Sequence, residues 1–211
     1  MKGFRGVGLA LVAVGLLFGS AAQAGDESEK MQKDVERKVD YLDRLSRFER
    51  DQIKLGQLAL ERSQSPRVRE FANRLIKDHE SSLKSLRAWA DGRALQIAAL
   101  DEEANEQQGT GGSAPAAQTA IAQTSAKGAQ QNVEMSKQAE QRRRELAAEK
   151  PEKFDEKFLS EVIESQEKGK ELVNQGRDDF EGDLTFASVL AKSQPVLDAH
   201  VAQARSLKDM L

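Results

Sequence analysis

From about Asp34 to Arg62 the large apolar residues fall at Val35, Val39, Leu42, Leu45, Phe48, Leu55 and Leu58, three, four or seven positions apart. That recurrence lines them along one face of a helix, with charged residues on the other, and predicts a first long helix. Ser65-Pro66 ends it and opens a second. A serine oxygen accepts an orphan amide N–H at a helix start, and the fixed φ of proline suits the first helical position. The second stripe, Phe71, Ala72, Leu75, Ile76, His79, Leu83 and Leu86, runs to about Ala90, and Asp91-Gly92 predicts its end. So short a connection makes the two helices an antiparallel hairpin.

The pattern lapses between Glu103 and Gln131, where Gly, Ser, Ala, Gln and Thr leave almost no large apolar side chain, as in Gly109-Thr110-Gly111-Gly112-Ser113. A segment that buries so little surface does not offset its ordering entropy, which predicts a flexible insertion. The charged run from Val133 to Lys150 is helix-prone but has too few apolar positions to form a core helix by itself. Pro151 then reopens the stripe with Phe154, Phe158, Leu159, Val162, Ile163, Gln166, Leu172 and Val173, ending near Gly176. Asp183 is placed to cap a fourth helix that carries Phe186, Leu190, Leu197, His200, Ala204, Leu207 and Leu211, with Pro195 predicting a kink near its middle.

Four amphipathic helices in two hairpins, joined by a long crossover, predict an all-α, ferritin-like four-helix bundle. The expected organisation is residues 25–102 as the first helical hairpin, 103–131 as the flexible Ala/Gln/Gly-rich insertion, and 132–211 as the charged helical arm and second hairpin of the same bundle. Few aromatic residues (5%), four prolines and an abundance of Leu, Ala, Glu, Lys, Arg and Gln agree with long helices.

Residues 1–24 read differently. Lys2 and Arg5 precede an apolar run from Val7 to Phe18 and the small-residue stretch Gly19-Ser20-Ala21-Ala22-Gln23-Ala24. That order is a secretory signal peptide with an Ala-x-Ala site ending at Ala24. Its apolar run is well short of the roughly 20 residues that span a bilayer. Export to the periplasm or cell envelope, with no transmembrane segment after cleavage, is the expectation. With no cysteine in the chain, disulfides, thiol catalysis and cysteine metal sites are excluded. The formal net charge is −3, and cleavage would remove the positive charges of Lys2 and Arg5. The one basic cluster, Arg142-Arg143-Arg144, is flanked by Glu140 and Glu145. No nucleic-acid partner is expected, because nothing supplies the basic field that phosphate backbones require.

The chemical candidates are the two histidines, His79 after Asp78 and His200 two residues after Asp198, both on apolar stripes. Inward histidines and carboxylates are how bundles build metal sites, so Asp78, His79, Asp198 and His200 are the candidate ligands. A di-metal carboxylate centre needs Glu-x-x-His on two helices. Ile76 and Leu197 stand where those glutamates would be. Three readings remain: core-facing histidines hydrogen-bonded to each other or to a carboxylate, a mononuclear metal site, or surface histidines. Neither a nucleophile elbow nor a catalytic triad is legible, so no catalytic residue and no cofactor is expected, with a transition metal as the exception.

Leu55-Gly56-Gln57-Leu58-Ala59-Leu60, Ser65-Pro66-Arg67-Val68-Arg69-Glu70-Phe71-Ala72 and Lys77-Asp78-His79 together resemble an exported bacterial family, domain of unknown function 4142. That family is regarded as ferritin-like and is often labelled an outer-membrane protein. Phe154-Asp155 with Phe158-Leu159, and Pro195-Val196-Leu197-Asp198-Ala199-His200, look like its third and fourth helices. Where the family commonly has acidic residues before the Leu-Gly of the first helix, this chain has Gln52 and Lys54. Where the third helix commonly shows Asp-His, it has Ser165-Gln166. The resemblance implies a shared polar centre here built on His79, Gln166 and His200. The functional expectation is a non-enzymatic envelope protein with a binding or stress-related structural role. Its partner would be an unidentified envelope protein or small ligand, and its oligomeric state is open. The alternative is a metal-binding ferritin-like oxidoreductase or ion-storage protein.

Overall fold

A computed structural model of the chain describes residues 20–95, 97, 99, 100 and 125–211. Among these the regular structure is entirely helical: α1 (Ser20–Arg62), α2 (Pro66–Asp91), α3 (Ala126–Ala147), α4 (Pro151–Asp179) and α5 (Leu184–Lys208). No described residue is in a strand. The predicted leader falls outside the described residues as far as residue 19. The chain divides into two units, Met1–Asp34 and Val35–Leu211. In the first, Glu29 and Lys33 form an exposed ion pair one helical turn apart.

The second unit follows the stripes. Ser65 caps α2 by accepting the Val68 N–H at 3.4 Å, with Pro66 in the first turn. Asp183 caps α5 by accepting the Phe186 N–H at 3.1 Å. α4 packs closely on α5, and α5 on α2. α1, α2, α4 and α5 each contribute to two separate apolar clusters. One gathers Leu42 and Leu45, Leu83 and Leu86, Val173, and Phe186 and Leu190. The other gathers Leu55 and Ala59, Phe71 and Leu75, Phe158 and Val162, and Ala204 and Leu207. Gly56 is buried where α1 meets α2, and a Cβ there would stand 2.7 Å from Ile76 Cγ1. Gly169 gives the Phe48 ring its space in the same way.

One place departs from the sequence reading. Ser125–Gln131, expected within the flexible insertion, are the N-cap and first turns of α3; the insertion's residues 103–124 lie outside the described residues. Polar anchoring is the reason. Asp40 of α1 accepts the Ser125 N–H at 2.7 Å and its Oγ–H at 2.5 Å, and Ser125 Oγ in turn accepts the Gly128 N–H at 2.9 Å. Farther along α3, Asn132 donates to buried Asp43 at 2.6 Å and Arg143 pairs with Asp51. A helix with few apolar positions thus docks through side-chain hydrogen bonds that an apolar-stripe count does not register.

α2 ends at Asp91 with Gly92 as its cap, where the sequence reading ends it. Gly92 keeps a helical φ of −61°, and the left-handed residue is Ala94 at φ 52°. Leu95 N–H bonds to Ala90 O and Ala94 N–H to Asp91 O, both at 3.1 Å, the paired bonds of a Schellman motif with Leu95 packed on the core. A Cβ in this region costs roughly 1–2 kcal/mol, partly offset in a glycine variant by the entropy of its unfolded chain. Ala94→Gly is therefore expected to stabilise the protein by about 1 kcal/mol, measured by urea unfolding; a destabilised variant would contradict the Schellman assignment.

Candidate functional site

Between the two apolar clusters each contributing helix places polar residues inward: Glu49 and Gln52 on α1, His79 on α2, Ser165 and Gln166 on α4, and His200 on α5. All six are buried, His79 and His200 at 1% exposure. An unpaired polar group in such a layer costs several kcal/mol, so the layer is arranged by its hydrogen bonds.

The bonds run as a chain. Glu49 accepts from His79 Nδ1–H at one oxygen and from Ser82 Oγ–H at 2.7 Å at the other. That leaves His79 Nε2 as an acceptor, and Gln166 Nε2–H donates to it at 2.9 Å. The same Gln166 nitrogen gives its second hydrogen to Gln52 Oε1 at 2.9 Å, where Ser165 Oγ–H also donates at 3.0 Å. With its nitrogen so engaged, Gln166 turns its carbonyl oxygen to His200 Nδ1, 3.4 Å away. On the far side, His200 Nε2 lies 3.0 Å from Asp78 Oδ2.

His200 therefore faces an oxygen acceptor on both ring nitrogens. A neutral ring carries one N–H, which the shorter contact assigns to Nε2 and Asp78, leaving the Nδ1 lone pair opposed to the Gln166 carbonyl. Burial holds the His200 pKa below its usual value of 6.5; His79 lowers it further, while the Asp78 hydrogen bond opposes both. A folded state that resists protonation binds fewer protons than the unfolded chain, so stability rises with pH through this window. The contribution is complete above about pH 6.5 and is lost as pH falls through the folded-state value. Tm is expected to drop between pH 7.5 and 5.5, and His200→Gln should flatten that drop. Parallel Tm–pH curves for the two proteins would contradict the assignment.

The structure places His79, Gln166 and His200 together and joins Asp78 to them through His200. Asp198 points elsewhere, its carboxylate 2.7 Å from Lys170 with its side chain 52% exposed. Lys54 is likewise exposed and stands outside the polar layer. Glu49 and Ser82 were not among the candidates of the sequence reading, and Ser165 entered it only beside Gln166, where the family commonly shows Asp-His. The signal for Glu49 was the seven-residue gap in the α1 stripe between Phe48 and Leu55, where Glu49 and Gln52 continue the spacing of Leu45 and Leu55. Among the described residues, no group of three or more His, Asp or Glu side chains is placed to hold a metal ion.

A cavity of about 190 Å³ opens on this layer between α2 and α5. Glu49 and His79 line its buried part, with Asp78, Ser81, Ser82, Ser85, Lys192 and Ser193 around them and Val189, Val196 and Leu197 as an aliphatic wall. Residues 21–114 match the family model described as a domain of unknown function (DUF4142). That stretch, somewhat under half of the chain, is similar to this family. The DUF4142 match takes in α2, most of α1 and the residues Glu49, Gln52, Asp78, His79 and Ser82. It stops short of α4 and α5, so Gln166, His200 and Lys192 lie beyond it. No curated protein and no solved structure matches the chain. No helix among the described residues is long and apolar enough to cross a membrane.

Proposed function

We propose that this protein is exported to the periplasm or cell envelope, that α1, α2, α4 and α5 close a ferritin-like four-helix bundle, and that its role is non-enzymatic capture of a small polar ligand. The observation that carries the binding role is the cavity between α2 and α5, with a buried carboxylate–histidine pair at its base. A concave site with a few convergent polar groups and an apolar wall is what a small-molecule site requires. The basic, apolar and small-residue order of residues 1–24 supports export, and the contribution of the same four helices to both apolar clusters supports the bundle.

The alternative, a metal-binding oxidoreductase or ion-storage bundle, needs free imidazole lone pairs. Here the His79 Nε2 lone pair takes the Gln166 N–H, and His200 Nδ1 faces an amide carbonyl rather than open space. Gln52 and Gln166, at the centre, hydrogen-bond well and ligate metals poorly.

The test uses mature protein purified from the periplasm without chelators or an affinity tag. Mass spectrometry should give a chain beginning after Ala24, and elemental analysis should give well under one transition-metal ion per chain. A thermal-shift panel of small amines, carboxylates, polyols and divalent metals should then raise Tm with an organic compound. Stoichiometric metal, or a response to metals alone, would replace this reading with the metal-binding one.

A further inference from the structure

The geometry points to a primary ammonium group carrying a short aliphatic body as the ligand of the cavity between α2 and α5. This deepens the binding role proposed above and rests on it. Two carboxylates line the cavity, Glu49 and Asp78, and each is already oriented by a histidine, Glu49 by His79 and Asp78 by His200. The Glu49 carboxylate is buried and, among the described residues, receives the His79 N–H and the Ser82 hydroxyl, which together leave lone pairs open on a carboxylate. Asp78 gives Oδ2 to His200, and its other oxygen is in no hydrogen bond among the described residues. An ammonium brings three donors and the positive charge that two neighbouring carboxylates call for. Because the carboxylates are held before the ligand arrives, little ordering entropy opposes its capture.

The rest of the lining sets the body of the ligand. Val189, Val196 and Leu197 offer aliphatic contact, which a bare metal ion would not use. The volume of about 190 Å³ lies below the roughly 300–1,000 Å³ of drug-sized pockets. A nucleotide or ring cofactor would not be enclosed by it. Lys192, exposed on the same cavity, forms no ion pair among the described residues. Its charge opposes a second ammonium and so disfavours diamines. It also suits a carboxylate, so the ammonium belongs either to a simple alkylamine or to an aliphatic amino acid.

Isothermal titration of the mature chain with isoamylamine, L-leucine, cadaverine and 3-methylbutan-1-ol separates these cases. Isoamylamine or leucine should bind at one site per chain, with cadaverine and the alcohol at least about tenfold weaker, the worth of a charge-assisted hydrogen bond. Asp78→Asn and Glu49→Gln should each weaken binding by a similar factor. Should Glu49→Gln fail to fold, as judged by circular dichroism, Asp78→Asn carries the test. Leucine binding that is lost in Lys192→Met assigns the amino acid, and isoamylamine binding kept in Lys192→Met assigns the amine. Equal binding of the alcohol, or no binding of either ammonium compound, overturns the inference. A Tm rise with polyols or carboxylates alone, in the panel described above, would then leave the binding role standing without it.

Discussion

His79→Ala is expected to lower the unfolding free energy by about 3 kcal/mol, the low end of what breaking a buried ion pair or charged hydrogen bond costs. The substitution removes the donor to Glu49 and the acceptor of Gln166 Nε2–H in one step and leaves a void in the polar layer. The low end applies because Glu49 lines the cavity, where water replaces part of what the imidazole gave. Urea unfolding with a common slope for the two proteins measures it. A loss under 1 kcal/mol would mean that the chain from Glu49 to Asp78 does not hold the layer. The double variant Glu49→Met, His79→Leu removes the carboxylate together with its partner, and well-packed apolar replacements of buried ion pairs are often neutral or stabilising. It should recover part of the lost stability, Gln166 Nε2–H still lacking its acceptor, while abolishing ligand capture. That combination would show the polar layer to be kept for binding and not for folding.

The fold class was legible because long helices carry their own evidence. The stripes of α2, α4 and α5, the Ser65 and Asp183 caps and the Pro66 and Pro151 starts are local, repeated signals that survive without knowledge of the partners. The start of α3 was not legible, since Asp40 and Asp43 reach it from α1 across more than eighty residues of sequence. A composition rule sees Gly, Ala and Gln around Gly128 and has no access to the carboxylates that anchor them. The left-handed Ala94 was hidden for a related reason: the adjacent Gly92 is the residue that propensity would choose, while the backbone turns two positions later.

The site was half legible. His79, Gln166 and His200 drew attention because a polar residue on an apolar stripe is conspicuous, and the structure puts all three in one hydrogen-bonded layer. Glu49 was masked by its surroundings: Arg47, Glu49, Arg50 and Asp51 look like one solvated stretch of charge until helical phase separates inward Glu49 from its neighbours. Asp198 was misleading in the opposite sense. Two positions from His200 in sequence, it sits about 200° around a 3.6-residue helix from that ring, and its carboxylate meets Lys170 instead. Proximity in sequence counted for less than phase.

Phe71 couples the apolar cluster to this layer, and Phe71→Ala is expected to cost about 3–5 kcal/mol. Its ring is fully buried and meets Phe158 and His200 edge-on, with both centroid distances at 6.2 Å. Truncation forfeits the transfer energy of the ring and leaves a cavity beside the imidazole. Because burial is the main cause holding His200 below its usual pKa, water entering that cavity should also bring the group back toward 6.5. The variant should therefore lose stability at every pH yet show a shallower decline between pH 7.5 and 5.5 than the parent, since a smaller difference between folded and unfolded proton uptake gives a smaller slope. Phe71→Leu, which keeps most of the volume, should cost under about 1.5 kcal/mol and keep the parent slope. NMR titration of the His200 ring protons, alongside urea unfolding at the two pH values, reads both effects separately. A full stability loss with an unmoved His200 titration would place the burial of that ring in the α4 and α5 contacts and take Phe71 out of its control.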